Sequence, residues 1–209
     1  MILYTNDDNI DSRIIKKAVE ALKDGALIAY PTDSCWGIGC STTSKIALEK
    51  LRKLKKDFKN YTPTLICSEI SQITLVAELN NRNFKFIKKY VPGPYVFILP
   101  ALDSVEKTIN QKRVEVGIRI PSVSIPRKIV EELGYPIFSV SASRKMADKS
   151  LWDDAYAEEN LFVSGWELED IHEIEFIIDA GEELPKRLTT VVDLSGDDIE
   201  IKRQGIGAL

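Results

Sequence analysis

Hydrophobic residues recur at helical spacing in two stretches near the start of the chain. From Ser12 to Lys23 the apolar positions lie three and four residues apart, with Asp11 or Ser12 as a candidate N-cap and Gly25 as the stop. From Ser44 to Lys55 the same spacing separates an apolar side from a side rich in lysine. We therefore expect two amphipathic helices, the second of which is basic at its C-terminal end.

Short apolar runs farther along the chain predict buried strands. They comprise residues 26–30, 62–67, 95–100, 115–120, 136–142, 176–180, 189–194 and 199–203. Residues 31–41 are rich in small and turn-forming side chains and predict a loop, whereas residues 70–90 carry helical patterns up to the break at Pro92-Gly93-Pro94. A further helix is expected at 126–133. Strands that alternate with helices in this way indicate an α/β or α+β sheet.

Length and composition favour one soluble domain. With 209 residues, of which 44% are apolar, the chain can close one substantial core, and we expect a single domain over residues 1–209. The first residues lack the basic start and apolar run of a signal peptide, and no apolar stretch is long enough to cross a bilayer. We therefore expect a cytoplasmic protein without a membrane partner.

Cysteine and histidine are too scarce for several common chemistries. The three cysteines, Cys35, Cys40 and Cys67, form no C-x-x-C pair, and His172 is the single histidine. A disulfide scaffold and a protein-bound metal site are therefore not expected. A Ser-His-Asp or Cys-His enzyme is excluded as well, unless His172 acts as the base.

Charge is unevenly distributed along the chain. The net charge of −4 argues against a nucleic-acid partner, but the stretch from Leu151 to Glu183 contains twelve acidic residues and no Lys or Arg. The remainder has 28 basic against 20 acidic residues. One interpretation is a basic face. The other is that the acidic stretch is a solvated excursion and that the lysines elsewhere are ordinary surface residues.

Four segments carry residues suited to anion binding, although the G-x-x-x-x-G-K-[ST] and G-x-G-x-x-G nucleotide motifs are absent. They are the loop at 31–39, the basic run at 51–60, the strand around Arg119 and the serine-rich strand end at 139–144. Each has a plainer interpretation, respectively a capped turn, a basic helix end that complements the helix dipole, an arginine in solvent and an ordinary turn. An inward Arg119 would need an anionic partner, and its planar fork fits a carboxylate or a phosphate.

The order of these features resembles the YrdC/YciO family, from about residue 14 to residue 207. The matching motifs are ALIAYPTDSCWGIGCS, VPGPYVFIL, VGIRIPS, PIFSVSAS, IIDAG, TTVVDL and IKRQGIG. Several motifs in one order are more specific than any one of them. The segments PTDS, TPTLIC and PGPYVFIL are nearer to the YciO branch of the family.

The resemblance implies a YrdC/RibB-like α/β fold, in which a twisted open mixed sheet with flanking helices surrounds a large basic cavity. In the synthases of the family, ATP with Mg²⁺, L-threonine and bicarbonate form threonylcarbamoyl-AMP and release pyrophosphate. The product serves the modification of a tRNA adenosine next to the anticodon. The implied partners are therefore a nucleotide, L-threonine and tRNA or double-stranded RNA.

The resemblance also assigns roles to individual residues. Thr32, Arg119 and Ser139 would contact the threonine, with Arg119 on its carboxylate. Lys55 would face phosphate and, together with Ser141, would take part in catalysis. The nucleotide side would be completed by Ser143, Thr189, Thr190 and Arg203.

Two motifs depart from the synthase pattern. The K-x-R motif reads K-K-D at residues 55–57, and the S-A-N motif reads S-A-S at residues 141–143. Asp57 would repel a triphosphate unless neighbouring lysines restore the charge, and Ser143 lacks the two-headed amide of asparagine. Three hypotheses follow: a YciO-like protein that holds ATP, threonine or a threonylcarbamoyl compound, a working synthase, and an RNA-binding module without chemistry.

Overall fold

The described residues of the chain form a ten-stranded mixed sheet. A computed structural model describes residues 1–55, 62–112, 114–148 and 158–209. In chain order the strands are β1 (Ile2–Tyr4), β2 (Leu27–Tyr30), β3 (Gly37–Ser41), β4 (Thr64–Ile66), β5 (Tyr95–Pro100), β6 (Glu115–Arg119), β7 (Ile137–Ser141), β8 (Ile174–Asp179), β9 (Thr190–Asp193) and β10 (Glu200–Arg203). In the sheet they lie in the order β1-β8-β2-β3-β7-β4-β6-β5-β9-β10. The predicted α/β class is confirmed.

Helices flank this sheet. They are α1 (Ser12–Lys23), α2 (Lys45–Lys55), α3 (Asn81–Ile87), α4 (Asp103–Ile109), α5 (Ser124–Leu133) and α6 (Arg144–Ala147). Three short 3-10 helices in the described residues cover Ile70–Leu75, Glu158–Asn160 and Gly165–Leu168. Within the described ranges, none of the helices has the length and apolar character needed to span a membrane.

Side-chain caps explain where α1 and α5 begin. The carboxylate of Asp11 accepts a hydrogen bond of 2.9 Å from the backbone N–H two residues later, as expected for an N-cap. The carboxylate of Asp7 accepts hydrogen bonds from the backbone N–H groups of Ser124 and Ile125, at 2.9 and 2.8 Å. Helix α5 therefore begins before the predicted start at Pro126, which lies in the first turn, where its missing N–H is not needed.

The two faces of the sheet are covered differently. On one face, a large apolar core packs against α2 and α4 and includes Phe97, Ile118 and Phe138. On the other face, α1 and α5 enclose a smaller core that includes Ile28 and Phe176. Side chains alternate along a strand. In β4 to β7, the residues that alternate with those of the large core therefore point to the face that α1 and α5 cover.

The segment that the sequence predicts to be a loop ends in strand β3. This strand pairs antiparallel with both β2 and β7, inside the sheet. A Cβ on Gly39 would lie 2.6 Å from the hydroxyl oxygen of Tyr30, and one on Gly37 would lie 2.8 Å from a carbon of the same ring. The loop prediction was wrong for residues 37–41, because these glycines accommodate a packed tyrosine ring rather than a turn.

The other differences from the sequence-based expectations concern short or mixed segments. Strand β1 has three residues and α4 has seven, so neither shows enough of its pattern to be recognised. The predicted helical stretch at 70–90 divides into a 3-10 helix and α3. The interpretation of the acidic stretch as a solvated excursion is wrong for β8, which lies between β1 and β2 and is mostly buried. Residues 151–157 of that stretch lie outside the described residues.

The same Ile→Ala truncation should lower the free energy of unfolding by different amounts on the two faces of the sheet. Ile118→Ala should lower the free energy of unfolding by about 2–5 kcal/mol, because it leaves a void in the large core. Ile98→Ala on the neighbouring strand should cost clearly less, because Ile98 borders a cavity on the other face. Urea denaturation of both variants measures the difference. Equal losses would contradict the assignment of these two residues to opposite faces.

Candidate functional site

A cavity of about 200 Å³ lies over β7, β4, β6, β5 and β9, on the face away from the large core. Strand alternation selects its lining: in β6, Gly117 and Arg119 border the cavity, whereas Val116 and Ile118 belong to the core. Six of the residues that the resemblance assigns to the site line it, namely Lys55, Arg119, Ser139, Ser141, Thr189 and Arg203. The other three, Thr32, Ser143 and Thr190, are not in the lining.

All charged side chains in the described lining are positive. Lys55, Arg119 and Arg203 supply the cations, and no described lining residue is acidic. Hydroxyl groups come from Thr62, Thr64, Ser139, Ser141 and Thr189. In a chain with a net charge of −4, a lining with cations and hydroxyl groups and no acidic described member favours an anionic ligand.

The two arginines lie on well-separated strands of the cavity lining. Arg203 on β10 pairs with Val191 on β9, and Val191 pairs with Val96 on β5, the strand next to β6 and Arg119. Three strand spacings therefore separate the two arginines, roughly 14 Å between strand axes. Val96 and Val191 form an apolar floor between them. The cavity thus offers two separated cationic positions with an apolar surface between them.

The guanidinium of Arg119 is held by the turn that follows β2. Its Nη2 atom donates hydrogen bonds to the Thr32 hydroxyl at 2.9 Å, the Asp33 carboxylate at 2.5 Å and the Ser34 hydroxyl at 2.8 Å. The side chains of Arg119 and Asp33 are only 8% and 10% exposed. The Nε atom of Arg119 is buried and has no hydrogen-bond partner among the described residues. One donor of the fork is therefore not used by the described part of the fold.

Asp33 stays ionised in this setting. Burial alone would raise its pKa, but the charge of Arg119 and the hydrogen bonds from Ser122 outweigh burial and lower the pKa below its ordinary value. The backbone N–H and the hydroxyl of Ser122 donate to the second carboxylate oxygen at 2.7 and 2.8 Å. The carboxylate thus links the β6 arginine to the chain that follows β6.

The structure places Thr32 behind Arg119 and outside the cavity lining. The hydroxyl of Thr32 donates to the carbonyl of Cys35 at 2.5 Å and accepts from Arg119 and from the backbone N–H groups of Ser34 and Cys35. The residue is 2% exposed. This hydroxyl therefore organises the turn and the arginine, and its contact with a substrate stays a prediction of the resemblance.

Strand β7 supplies the serines of the site. Ser139 and Ser141 are two residues apart, and both border the cavity. The buried hydroxyl of Tyr30 donates a hydrogen bond of 2.8 Å to the hydroxyl of Ser139. Ser143 is buried just before α6 and does not reach the lining. The first residue of the S-A-S segment is thus in the cavity, and the last is not.

Arg203 at the end of β10 is anchored on Thr189. Its Nε atom donates to the Thr189 carbonyl at 2.9 Å, and its Nη2 atom donates to the Thr189 hydroxyl at 3.0 Å. Thr190 has no exposed surface, and its hydroxyl donates to the carbonyl of Gly207 at 2.6 Å. Of the two adjacent threonines, the structure therefore brings only Thr189 to the cavity.

Lys55 reaches the cavity from the end of α2. The residues that bear on the altered K-x-R motif, Lys56, Asp57 and Lys59, lie outside the described residues. Thr62 and Thr64 were missed by the sequence analysis, although they alternate with the core residue Leu65. The period of two in the predicted strand at 62–67 could have placed both threonines on the cavity side.

The chain belongs to the Sua5/YciO/YrdC family. A family model for this domain, described as "Telomere recombination", matches residues 20–205. The uncharacterized protein YciO of Escherichia coli (strain K12) is 30% identical over 205 residues, which cover 98% of this chain and 95% of YciO. The crystal structure of E. coli YciO matches with a TM-score of 0.84 and covers 100% of this chain and 97% of that chain. The predicted resemblance is therefore confirmed.

Similarity to named synthases covers less of the chain. A threonylcarbamoyl-AMP synthase of Neisseria gonorrhoeae is 32% identical over 140 residues, which cover 64% of this chain and 74% of that protein. The crystal structure of P. abyssi Sua5 complexed with L-threonine is 24% identical, has a TM-score of 0.79 and covers 98% of this chain and 57% of that chain. The Sua5 structure shows the same fold. Full-length similarity to YciO supports the predicted placement nearer to the YciO branch.

The Asp33–Arg119 pair predicts a pH-dependent contribution to stability. Asp33→Asn should lower the free energy of unfolding at pH 7 by roughly 3 kcal/mol, because it leaves a buried guanidinium without its counter-charge. The lowered pKa of Asp33 means that its stabilisation is present above the unfolded pKa, about 3.9, and is lost as the pH falls through the folded value. The difference between the two proteins should thus be constant from pH 7 to about 5 and shrink below about 4.

Urea denaturation as a function of pH measures this difference. Glu131→Gln is the matched control, because it breaks the exposed ion pair with Lys128 and should cost about 0–1 kcal/mol. A difference between wild type and Asp33→Asn that grows on acidification would show that the pair does not act as described.

Proposed function

We propose that the cavity binds a nucleotide beside a small carboxylate-bearing amino acid such as L-threonine, for a reaction of the threonylcarbamoyl-AMP synthase type. The observation that carries the proposal is the lining, which combines three cations with hydroxyl groups and has no acidic residue among its described members. A ligand with several anionic groups matches such a lining better than a neutral one does.

The phosphates would bind between Lys55 and Arg203. Arg203 presents a guanidinium that Thr189 already orients, and the hydroxyls of Thr189 and Ser141 add donors to the same cavity. A hydrogen bond from a charged donor to a phosphate oxygen contributes about 1.5–3 kcal/mol. The apolar floor of Val96, Ile98 and Val191 offers a surface for the sugar or the base.

The amino-acid carboxylate would bind at Arg119. Because Nη2 is engaged by the turn at 32–34, a ligand oxygen would bind on the side of the guanidinium that borders the cavity. Ser139 lines the same cavity and can add a hydroxyl contact. Rigid positioning by the turn limits the entropy that Arg119 would lose when a ligand binds.

Relatives support this assignment by name. The synthase of N. gonorrhoeae makes threonylcarbamoyl-AMP according to its name, and it is 32% identical to this chain over the matched residues. YciO of E. coli, similar over its full length, is described as uncharacterized. The catalytic step and the tRNA or double-stranded RNA partner are therefore predictions that rest on family membership and on the cavity.

The proposed reaction joins three substrates. The amine of threonine and bicarbonate form a carbamate with loss of water, and a carbamate oxygen then attacks the α-phosphorus of ATP. The bond from that phosphorus to the bridging oxygen breaks, and pyrophosphate leaves. Lys55 and Arg203 would neutralise the charge that develops on the leaving pyrophosphate, and Ser141 would donate to a phosphate oxygen.

Mg²⁺ would enter with the triphosphate. This ion prefers oxygen ligands and is commonly bound through few protein groups together with substrate phosphates. The described lining offers hydroxyl oxygens and no carboxylate, which fits an ion held mainly by phosphate oxygens. When bound, Mg²⁺ would neutralise part of the phosphate charge.

Removal of either cation assigned to the phosphates should weaken nucleotide binding. Lys55→Ala and Arg203→Ala should each raise the Kd for Mg²⁺-ATP about tenfold to a hundredfold, because each removes a charge-assisted contact. Isothermal titration calorimetry measures the Kd. Lys53→Ala, an exposed lysine on the same helix, is the matched control and should change it little. Unchanged affinity in both cavity variants would place the nucleotide elsewhere.

Pyrophosphate release tests the chemistry separately from binding. The pure protein with Mg²⁺-ATP, L-threonine and bicarbonate should release pyrophosphate faster than without threonine, and Arg119→Ala should abolish the threonine dependence. A chain that binds ATP and threonine but releases no pyrophosphate above the threonine-free control would refute the synthase assignment. That result would favour a binding module with the same fold.

A further inference from the structure

We propose that Thr190 is a positioning residue of the cavity. In this proposal it fastens the C-terminal segment Gln204–Ala208, here called the C-terminal latch, across the start of β9 and thereby holds the guanidinium of Arg203 in place for a phosphate group. The inference rests on the proposed nucleotide binding for its functional consequence, but the latch itself can be tested without a ligand.

Arg203 needs support from outside its own strand. Strand β10 is at the edge of the sheet and pairs only with β9 among the described strands. Its pairing register shifts between Ile201 and Arg203, and the other three of its four residues are exposed. An edge strand with an irregular end holds its last side chain weakly, so a cation there would lose conformational freedom when it binds an anion.

The hydroxyl of Thr190 is the hub of the latch. It donates to the carbonyl of Gly207 at 2.6 Å and accepts hydrogen bonds from the backbone N–H of Gly205 at 2.9 Å and from the Gln204 amide at 3.4 Å. The Gln204 amide also donates to the carbonyl of Gly207 at 2.7 Å. One buried hydroxyl thus closes a turn formed by the residues directly after Arg203.

The latch also packs on the backbone that carries Thr189. The backbone N–H of Ile206 donates to the carbonyl of Leu188 at 2.9 Å. A Cβ on Gly205 would lie 2.3 Å from the same carbonyl oxygen, so only glycine fits at that position. The latch therefore rests against residues 188 and 189. Thr189 is the residue whose carbonyl and hydroxyl receive the Arg203 guanidinium.

The far end of the latch is held by β5. The hydroxyl of Tyr95 donates to the carbonyl of Ala208 at 2.6 Å, and a Cβ on Gly207 would lie 2.5 Å from a carbon of the Tyr95 ring. Thr190 itself has no exposed surface and does not line the cavity. It can therefore act on a nucleotide only indirectly, and Thr189 and Arg203 are the lining residues that adjoin the latch.

The first experiment follows the Nε–H of Arg203 by ¹⁵N NMR in the ligand-free protein, with Arg203→Ala to assign the signal. Hydrogen exchange should be slow in the wild type, because this N–H is bonded to the Thr189 carbonyl. Thr190→Val should accelerate the exchange about tenfold or more, since it leaves the Gly205 N–H and the Gly207 carbonyl without their hydroxyl partner. Thr190→Ser keeps the hydroxyl and should behave like the wild type.

The second experiment measures the Kd for Mg²⁺-ATP in a double-mutant cycle. Thr190→Val should raise the Kd roughly tenfold when Arg203 is present and less than twofold in the Arg203→Ala background, because both changes remove the same contact. Thr108→Val, on a half-buried threonine of α4 outside the cavity lining, is the matched control and should alter neither the exchange nor the affinity.

Two results would overturn the proposal: unchanged Nε–H exchange in Thr190→Val, or an equal loss of ATP affinity in both backgrounds. If Thr190→Val does not fold, Tyr95→Phe releases only the far end of the latch and should shift the exchange in the same direction by a smaller factor. A wild-type protein that binds no ATP would refute the proposed function, and the exchange measurement alone would then decide whether the latch exists.

Discussion

The candidate site depends on the ion pair and the hydrogen bonds that hold the buried guanidinium of Arg119. Burying such a charge costs several kcal/mol unless it is paired and hydrogen-bonded, and the turn after β2 supplies three acceptors for it. Asp33 in turn receives two hydrogen bonds from Ser122. The arginine thereby fixes the turn relative to β6, and the turn leads directly into Trp36 and β3, which form one wall of the cavity.

A second set of polar contacts joins this wall of the cavity to residues 163–167. The indole N–H of Trp36 donates to the carbonyl of Val163 at 3.1 Å. Glu167 accepts hydrogen bonds from the backbone N–H groups of Val163 and Ser164 and pairs with Arg144. Burial would raise the pKa of Glu167, but these hydrogen bonds and the arginine charge lower it. Polar contacts between segments that are far apart in sequence therefore also hold residues next to the site that lie outside the sheet.

Local patterns were sufficient for much of the fold and for less of the site. Periodicity located α1, α2 and most strands, whereas β3 was missed because its glycines serve contact with Tyr30, which no local pattern reports. Pattern alone left Arg119 with a solvent-facing alternative, and only the family motifs favoured an inward position. The pairing of Arg119 with Asp33 joins residues far apart in sequence, so it needed the structure.

The period of two in a strand could have shown from the sequence which of the adjacent threonines, Thr189 and Thr190, faces the cavity. Side chains alternate in a strand, so Thr189 and Thr190 cannot both face one cavity. Since Val192 belongs to the large core, the period of two would have assigned Thr190 to the core side and Thr189 to the cavity. The partners of Thr190 lie in the last residues of the chain, and no sequence signal indicated that contact.

The pairing of β1 with β8 has a consequence for the order in which the protein folds. Ile2 is registered with Ile177 and Tyr4 with Asp179, so β1 finds this neighbour only after the long stretch of chain between the two strands has been synthesised. Pairings between residues so far apart close slowly, because a long loop must first be ordered. During synthesis β1 can therefore form this pairing only when β8 has left the ribosome.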